Sequence, residues 1–150
     1  MKTSAIVPAR IEWRQGLPFA PEFGDVYHAR AGAFAQAREV FLAGNGLPGR
    51  WQGRARFVVL ETGFGLGNNF LATWAAWRED PARCDELVFV SIEKHPPRAD
   101  DLARAHADSP EPALAAGLVA AWPPLAPGLH AADFEAGRVR LLLAFGDVAD

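Results

Sequence analysis

The pattern of apolar and polar positions changes character along the chain. In "IEWRQGLPFAPEFGDVYH", Ile11 and Trp13 alternate with polar neighbours and Gln15-Gly16 supplies a turn, which predicts a short extended hairpin. The segment "ARAGAFAQAREVFLAG" repeats Phe34, Ala37, Val40 and Phe41 at helical spacing and stops at Gly44. Glycines and a proline crowd "GNGLPGRW" too closely for regular structure, so it reads as a loop. Beyond it strands and helices alternate. "ARFVVLE" is apolar and β-branched in its middle, as expected of a strand covered on both faces. "NNFLATWAAWRED" sets Phe70, Trp74 and Trp77 on one helical face and ends before Pro81. "ELVFVSIE" predicts a second buried strand, Pro96-Pro97 introduces the helical "RADDLARAHAD", and "PEPALAAGLVAAW" is a further helix closed by Pro123-Pro124. "GRVRLLLAF" makes a third strand.

Strand, helix, strand, helices, strand is half of a doubly wound parallel sheet. The expected fold is therefore α/β and Rossmann-like but incomplete. Three parallel strands with their helices occupy residues 56–150, and a hairpin, helix and loop extension occupies residues 1–55. A chain of 150 residues, half of them apolar, has the size of one domain. It ends soon after the third strand and leaves the first with an open hydrophobic edge, so the expectation is a portion of a longer protein.

Composition removes several classes of function. Cys84 stands alone, without a disulfide or metal-spaced partner, and fits a reducing, cytoplasmic setting. His28, His95, His106 and His130 have no mutual spacing that suggests a metal site or a triad. No signal peptide pattern opens the chain, and no apolar run approaches the ~20 residues that span a bilayer, so no membrane partner is expected. The net charge of -3 conceals an asymmetry: residues 1–56 carry eight Lys/Arg against four Asp/Glu, and residues 57–150 seven against fourteen. Arg50, Arg54 and Arg56 around Trp51 are either an anchorage for a phosphate backbone or a solvated surface.

The chemistry is concentrated in "VVLETGFGLGNNF". In such a sheet the turn after the first strand faces the ligand crevice, where Gly63, Gly65 and Gly67 let the backbone bend tightly and approach a bound group. A dinucleotide fingerprint places its third glycine one position later, where Asn68 stands here. With Glu61 ahead of it, the spacing resembles motif I of the class I S-adenosylmethionine-dependent methyltransferases. The second strand ends in Glu93, where an acid accepts hydrogen bonds from both ribose hydroxyls, unless it merely pairs with Lys94. The third ends in Gly146-Asp147, a small residue and an acid suited to lining an adenine.

Taken together, Glu61-x-Gly-Phe-Gly-x-Gly-x-Asn69-Phe70, "SIEKHPPRADDLARAH", "WPPLAPGLHAADFEAGRVRLLLAFGD", the N-terminal "IEWRQGLPFAPEFGDVYH" and "VFLAGNGLPGRW" resemble the methyltransferase half of the bifunctional bacterial tRNA 5-methylaminomethyl-2-thiouridine biosynthesis proteins. The resemblance spans nearly the whole chain; Leu66 and Asn68 depart from the residues that family would place there, which bears on the shape of the methionine pocket. It implies methylation of the aminomethyl group on a wobble uridine, with S-adenosylmethionine as methyl donor and a tRNA anticodon loop as partner. It also implies roles. Gly63, Gly65, Gly67 and Asn69 would surround the methionine part, Glu93 the ribose, and Gly146 with Asp147 the adenine; Glu61 and Phe64, within the same motif, would also bind the cofactor, and Asn45 and Gly46 would sit in a loop that closes over it. Trp51, Phe64 and Tyr27 are candidate stacking platforms for the base, or simply core. The substrate-facing carboxylate of that family follows a fourth strand and has no counterpart here, so the catalytic residue is unassigned and the chain alone is expected to be inactive. FAD belongs to the oxidase half of such proteins, outside these residues. A nicotinamide-dependent oxidoreductase and a non-catalytic nucleoside-binding module are the alternatives.

Overall fold

The computed structural model describes residues 4–21, 25–26 and 30–149. Near the N-terminus, β1 (Glu12–Arg14), β2 (Leu17–Ala20) and β3 (Asp25–Val26) form an antiparallel sheet in that order. Arg14 pairs with Leu17 across the turn, and Gln15 and Gly16 both take positive φ, 53° and 76°, the signature of a two-residue turn whose twist matches its strands. The hairpin is tied to the segment after the second long strand. Trp13 Nε1 donates to Asp101 Oδ1 at 3.2 Å, Arg104 stacks over the Trp13 ring, and the Ala9 amide donates to Pro96 O at 3.0 Å.

The predicted first helix is one helical run, α1 (Arg30–Gln36), a π-helical turn (Ala37–Phe41) and α2 (Leu42–Gly44). Phe34, Ala37 and Leu42 face inward, but Val40 is 63% exposed. In the wider turn the Leu42 amide reaches Ala37 O, which changes the angular step on which simple helical spacing relies.

The main sheet has the order β4-β5-β7-β6, from β4 (Arg56–Thr62), β5 (Glu86–Glu93), β7 (Val139–Phe145) and β6 (Gly128–Phe134). The first three are parallel, joined by α3 (Asn68–Glu79) and then by α4 (Ala99–Ala105) and α5 (Pro112–Ala120). Strand β6, which runs antiparallel to β7, was not expected from the sequence. Burial alternates along "GLHAADF", but Leu129 is on the exposed face and Gly128 and His130 on the inner one, so the sequence does not show that alternation. The second difference concerns β4, which lies at the sheet edge and is covered on one face only. Phe57, Val59 and Glu61 point inward, whereas Val58 and Leu60 are 53% and 68% exposed among the described residues. Val90, Leu142 and Ala131 lie level with Leu60 across the sheet, so the uncovered face is itself apolar.

On the covered face α3 is buried from Phe70 to Trp77. Phe70 meets Phe89 edge-on at 5.4 Å and Trp74 packs on Phe134 at 4.5 Å between ring centroids. Each such side chain contributes about 1.5–3 kcal/mol through burial. The indole N–H groups are satisfied: Trp77 donates to Cys84 O, Trp74 to Glu135 and Trp51 to Asp80. Among the described residues no helix is long and apolar enough to cross a membrane. No group of three His, Cys, Asp or Glu side chains among them is placed to hold a metal.

Candidate functional site

The parallel strands deliver their acids to one end of the sheet. The Gly63 amide still donates to Ile92 O at 2.7 Å, extending the β4–β5 ladder by one bond, after which the chain turns back into α3. Gly63, Gly65 and Gly67 have φ of +83°, +58° and +80°, a region that side chains other than glycine's rarely enter. They serve different ends. At Gly63 and Gly65 nothing lies within 4 Å of the place a Cβ would take, so the space beside the loop is open. At Gly67 a Cβ would stand 2.8 Å from the Phe64 ring and 3.1 Å from Leu118, so this glycine lets the loop pack on the core.

Glu93 is held against that loop. Its Oε2 accepts the Gly65 N–H at 2.9 Å, its Oε1 accepts the His95 N–H at 2.9 Å, and its main-chain oxygen accepts the Gly146 N–H at 3.0 Å. Lys94 pairs instead with Asp147, 3.0 Å away. The Asp147 carboxyl is held below the usual range, chiefly by the Ala149 amide and then by Lys94. Glu61, 8% exposed, accepts from Asn69 Nδ2 at 2.8 Å and Ser91 Oγ at 2.9 Å. Burial nevertheless pushes its pKa up to about 7, opposed by those two hydrogen bonds and reinforced by the charge of Glu93.

Glu61, Gly63, Gly65, Gly67, Asn69, Glu93, Gly146 and Asp147 thus gather at the strand tips. The other sequence candidates are placed differently. Phe64 is 4% exposed, stacked on Trp122 with ring centroids 5.6 Å apart and tilted against Phe70, so it has no free face for a base. Trp51 is fully buried and donates to Asp80 Oδ2 at 2.8 Å, beyond the far end of α3. Both are core aromatics, and Tyr27 lies outside the described residues. Asn45 and Gly46 are not brought to the glycine loop. Asn45 Nδ2 donates to Phe41 O at 2.8 Å, Gly46 abuts Arg50, and Arg50 lies over Phe57 at the start of β4. Gly63 follows the other end of that strand.

The sequence reading missed three supporting residues. Ser91, a polar residue inside the apolar run of β5, was a usable signal. Trp122 read only as a helix terminus, yet it roofs Phe64 and donates to Pro97 O at 2.9 Å. His106 carried no signal; its buried Nε2 sits 2.5 Å from Leu66 O and steadies the loop from below, and burial lowers its pKa.

No family model matches the chain. Over 99% of its length it is 67% identical to the tRNA 5-methylaminomethyl-2-thiouridine biosynthesis bifunctional protein MnmC of Methylibium petroleiphilum, and over 97% it is 58% identical to the protein of that name from Thiobacillus denitrificans. The chain spans about a quarter of the length of these relatives, 23% and 24%. The crystal structure of MNMC2 from Aquifex aeolicus superposes with a TM-score of 0.58 at 18% identity, covering 94% of this chain and 43% of that one. The high-identity homologues over nearly the whole chain are therefore MnmC bifunctional proteins, as its motifs suggest, and the α/β fold is shared with MNMC2.

Proposed function

We propose that this chain forms the S-adenosylmethionine-binding portion of a tRNA methyltransferase that converts the aminomethyl group of wobble 5-aminomethyl-2-thiouridine to 5-methylaminomethyl-2-thiouridine. The observation that carries the reading is the Glu93 carboxylate resting on the glycine loop beside open space at Gly63 and Gly65. The names of the relatives supply the tRNA modification.

The residues present fit an adenosyl ligand. Each Glu93 oxygen accepts one main-chain N–H and keeps lone-pair capacity for a ribose hydroxyl. Gly63 and Gly65 leave room for close backbone approach. Glu61 and Asn69 flank the methionine side, and Gly146 with Asp147 the adenine side. When bound, S-adenosylmethionine supplies an electrophilic methyl group on a sulfonium. The chain's own contribution is orientation, which brings a neutral amine into line with that methyl. Glu61, whose pKa burial raises to about 7, would be drawn into its carboxylate form by a cationic amino-acid group beside it. A wobble base lies in a single-stranded loop and is splayed out without breaking a duplex. FAD has no place in this proposal; its chemistry is assigned to the oxidase half of such bifunctional proteins.

Calorimetric titration of the chain with S-adenosylhomocysteine and, separately, with NAD tests the reading. Binding of the first and indifference to the second is expected. The reverse would support a nicotinamide-dependent oxidoreductase and overturn it.

A further inference from the structure

The opposite pole of the sheet is rich in arginine, from parts of the sequence that composition alone does not connect. Arg54 precedes β4, Arg83 precedes β5 and Arg138 precedes β7, and the backbone brings them side by side: the Asp85 amide donates to Arg54 O and the Leu87 amide to Arg138 O. Arg83 and Arg138 stand over Trp77, their guanidinium carbons 4.6 and 5.5 Å from its ring centroid. Arg50 and Arg54 stand over Phe57 at 5.3 and 5.9 Å. None of these four forms a salt bridge among the described residues. The acids nearby are largely engaged: Glu86 with Arg56, Asp133 with Arg140, Glu135 with Arg78, and Asp80 with Trp51 and Gln52, although the Asp80 charge also acts on Arg83.

Between Arg83 and Arg138 lies a cleft of about 390 Å³, walled by Trp77, Pro81 and Cys84, with Asp85 as its one carboxylate. The two guanidiniums are positioned before any ligand arrives. Arg83 donates one N–H to Arg78 O at 3.1 Å and Arg138 donates Nε–H to Glu135 O at 3.3 Å, which leaves the remaining donors of each fork directed elsewhere. Guanidiniums fixed on aromatic faces lose little freedom on binding and match the paired oxygens of a phosphate.

We infer that this arginine pole binds the phosphodiester backbone of RNA, as a second anchorage at the end of the sheet opposite the glycine loop. The inference rests on the tRNA reading above and deepens it. The seven residues of β4 set the two poles about 23 Å apart at 3.3 Å per residue, too far for one nucleotide to touch both. A stem continuing from a loop held at the strand tips has that length, and its phosphates are what arginines with donors to spare recognise without regard to sequence.

The test compares the full chain with Arg83→Gln/Arg138→Gln, measuring affinity for an unmodified tRNA transcript over a series of salt concentrations. Each phosphate contact contributes about 0.7 on a single strand to about 0.9 on a B-form duplex to the slope of log affinity against log salt. The double variant is expected to lose about two contacts' worth of slope and about tenfold or more in affinity. The charge-retaining Arg83→Lys/Arg138→Lys pair is expected to keep most of the slope, which a purely structural role for the stacked arginines would not explain. Unchanged affinity and slope in the Gln variant would overturn the inference. So would an equal loss of binding to polyglutamate, which would mark the pole as a site for acidic protein. S-adenosylhomocysteine titration of the same proteins reports on the strand tips separately. Failure of that reading appears as absence of binding in all of them, wild type included.

Discussion

Replacing Glu61 by Gln should change how stability depends on pH more than how the chain folds. Glu61 is buried beneath the glycine loop between Asn69 and Ser91, and burial raises its carboxyl from an ordinary 4.5 to about 7. That displacement corresponds to about 3 kcal/mol. The folded chain holds this proton more tightly than the unfolded one. The group's stabilising contribution is therefore complete below about pH 4.5 and is lost as pH rises to about 7. His106 acts in the opposite sense: burial lowers its pKa, so its contribution is present above its ordinary 6.5 and is lost as pH falls. The difference between wild type and Glu61→Gln removes the His106 effect and isolates Glu61. Glutamine keeps an acceptor for Asn69, and the Ser91 hydroxyl accepts as readily as it donates. Urea denaturation near pH 5 should find the two proteins within about 1 kcal/mol of each other. Near pH 8 the variant should be the more stable by up to about 3 kcal/mol, roughly 6–12 °C in Tm for a chain of this size. A difference that stays constant across this range would refute the reasoning, because Glu61 would then titrate as an ordinary carboxylate.

Two further substitutions test the packing. Gly67→Ala combines a positive φ with a Cβ 2.8 Å from Phe64 and should cost about 2–5 kcal/mol. Gly63→Ala, with open space around it, should cost only the backbone strain, about 1–3 kcal/mol; equal Tm losses would contradict the different work assigned to the two glycines. On the uncovered face, Val58→Lys/Leu60→Lys should reduce dye binding and self-association measured by light scattering while leaving Tm nearly unchanged; a large Tm loss would mean that this face is packed.

The order of strands and helices and the glycine turn were legible because each rests on local pattern. Apolar runs marked β4, β5 and β7, and the glycines with their flanking acid marked the one turn that must bend. The approach of Glu93 to Gly65 was also implied, since adjacent parallel strands end at the same edge. What failed depended on facts that no single segment contains. The segment "GLHAADF" became a strand only through pairing with β7. The one-sided burial of β4 depends on what covers the sheet, and "FVVL" reads the same whether one face or two are packed. The role that resemblance gives Asn45 and Gly46, in a loop that closes over the cofactor, is a separate matter because it concerns a bound state; here the helical run before them carries Arg38 to its pairing with Glu79 at the far end of α3, and the loop follows to the base of β4. Trp51 and Phe64 show the general difficulty with aromatics: composition cannot say whether a ring is exposed, and here Asp80 and Trp122 hold both inside.

The central claim is that Glu93 grips a ribose beside the glycine loop. The most direct test is the S-adenosylhomocysteine affinity of Glu93→Ala against wild type, by calorimetry at fixed pH. Hydrogen bonds to a charged acceptor are worth about 1.5–3 kcal/mol, so the variant should bind roughly 10- to 150-fold more weakly while remaining folded. Equal affinity in a folded variant would contradict the account, since the sugar would then lie elsewhere.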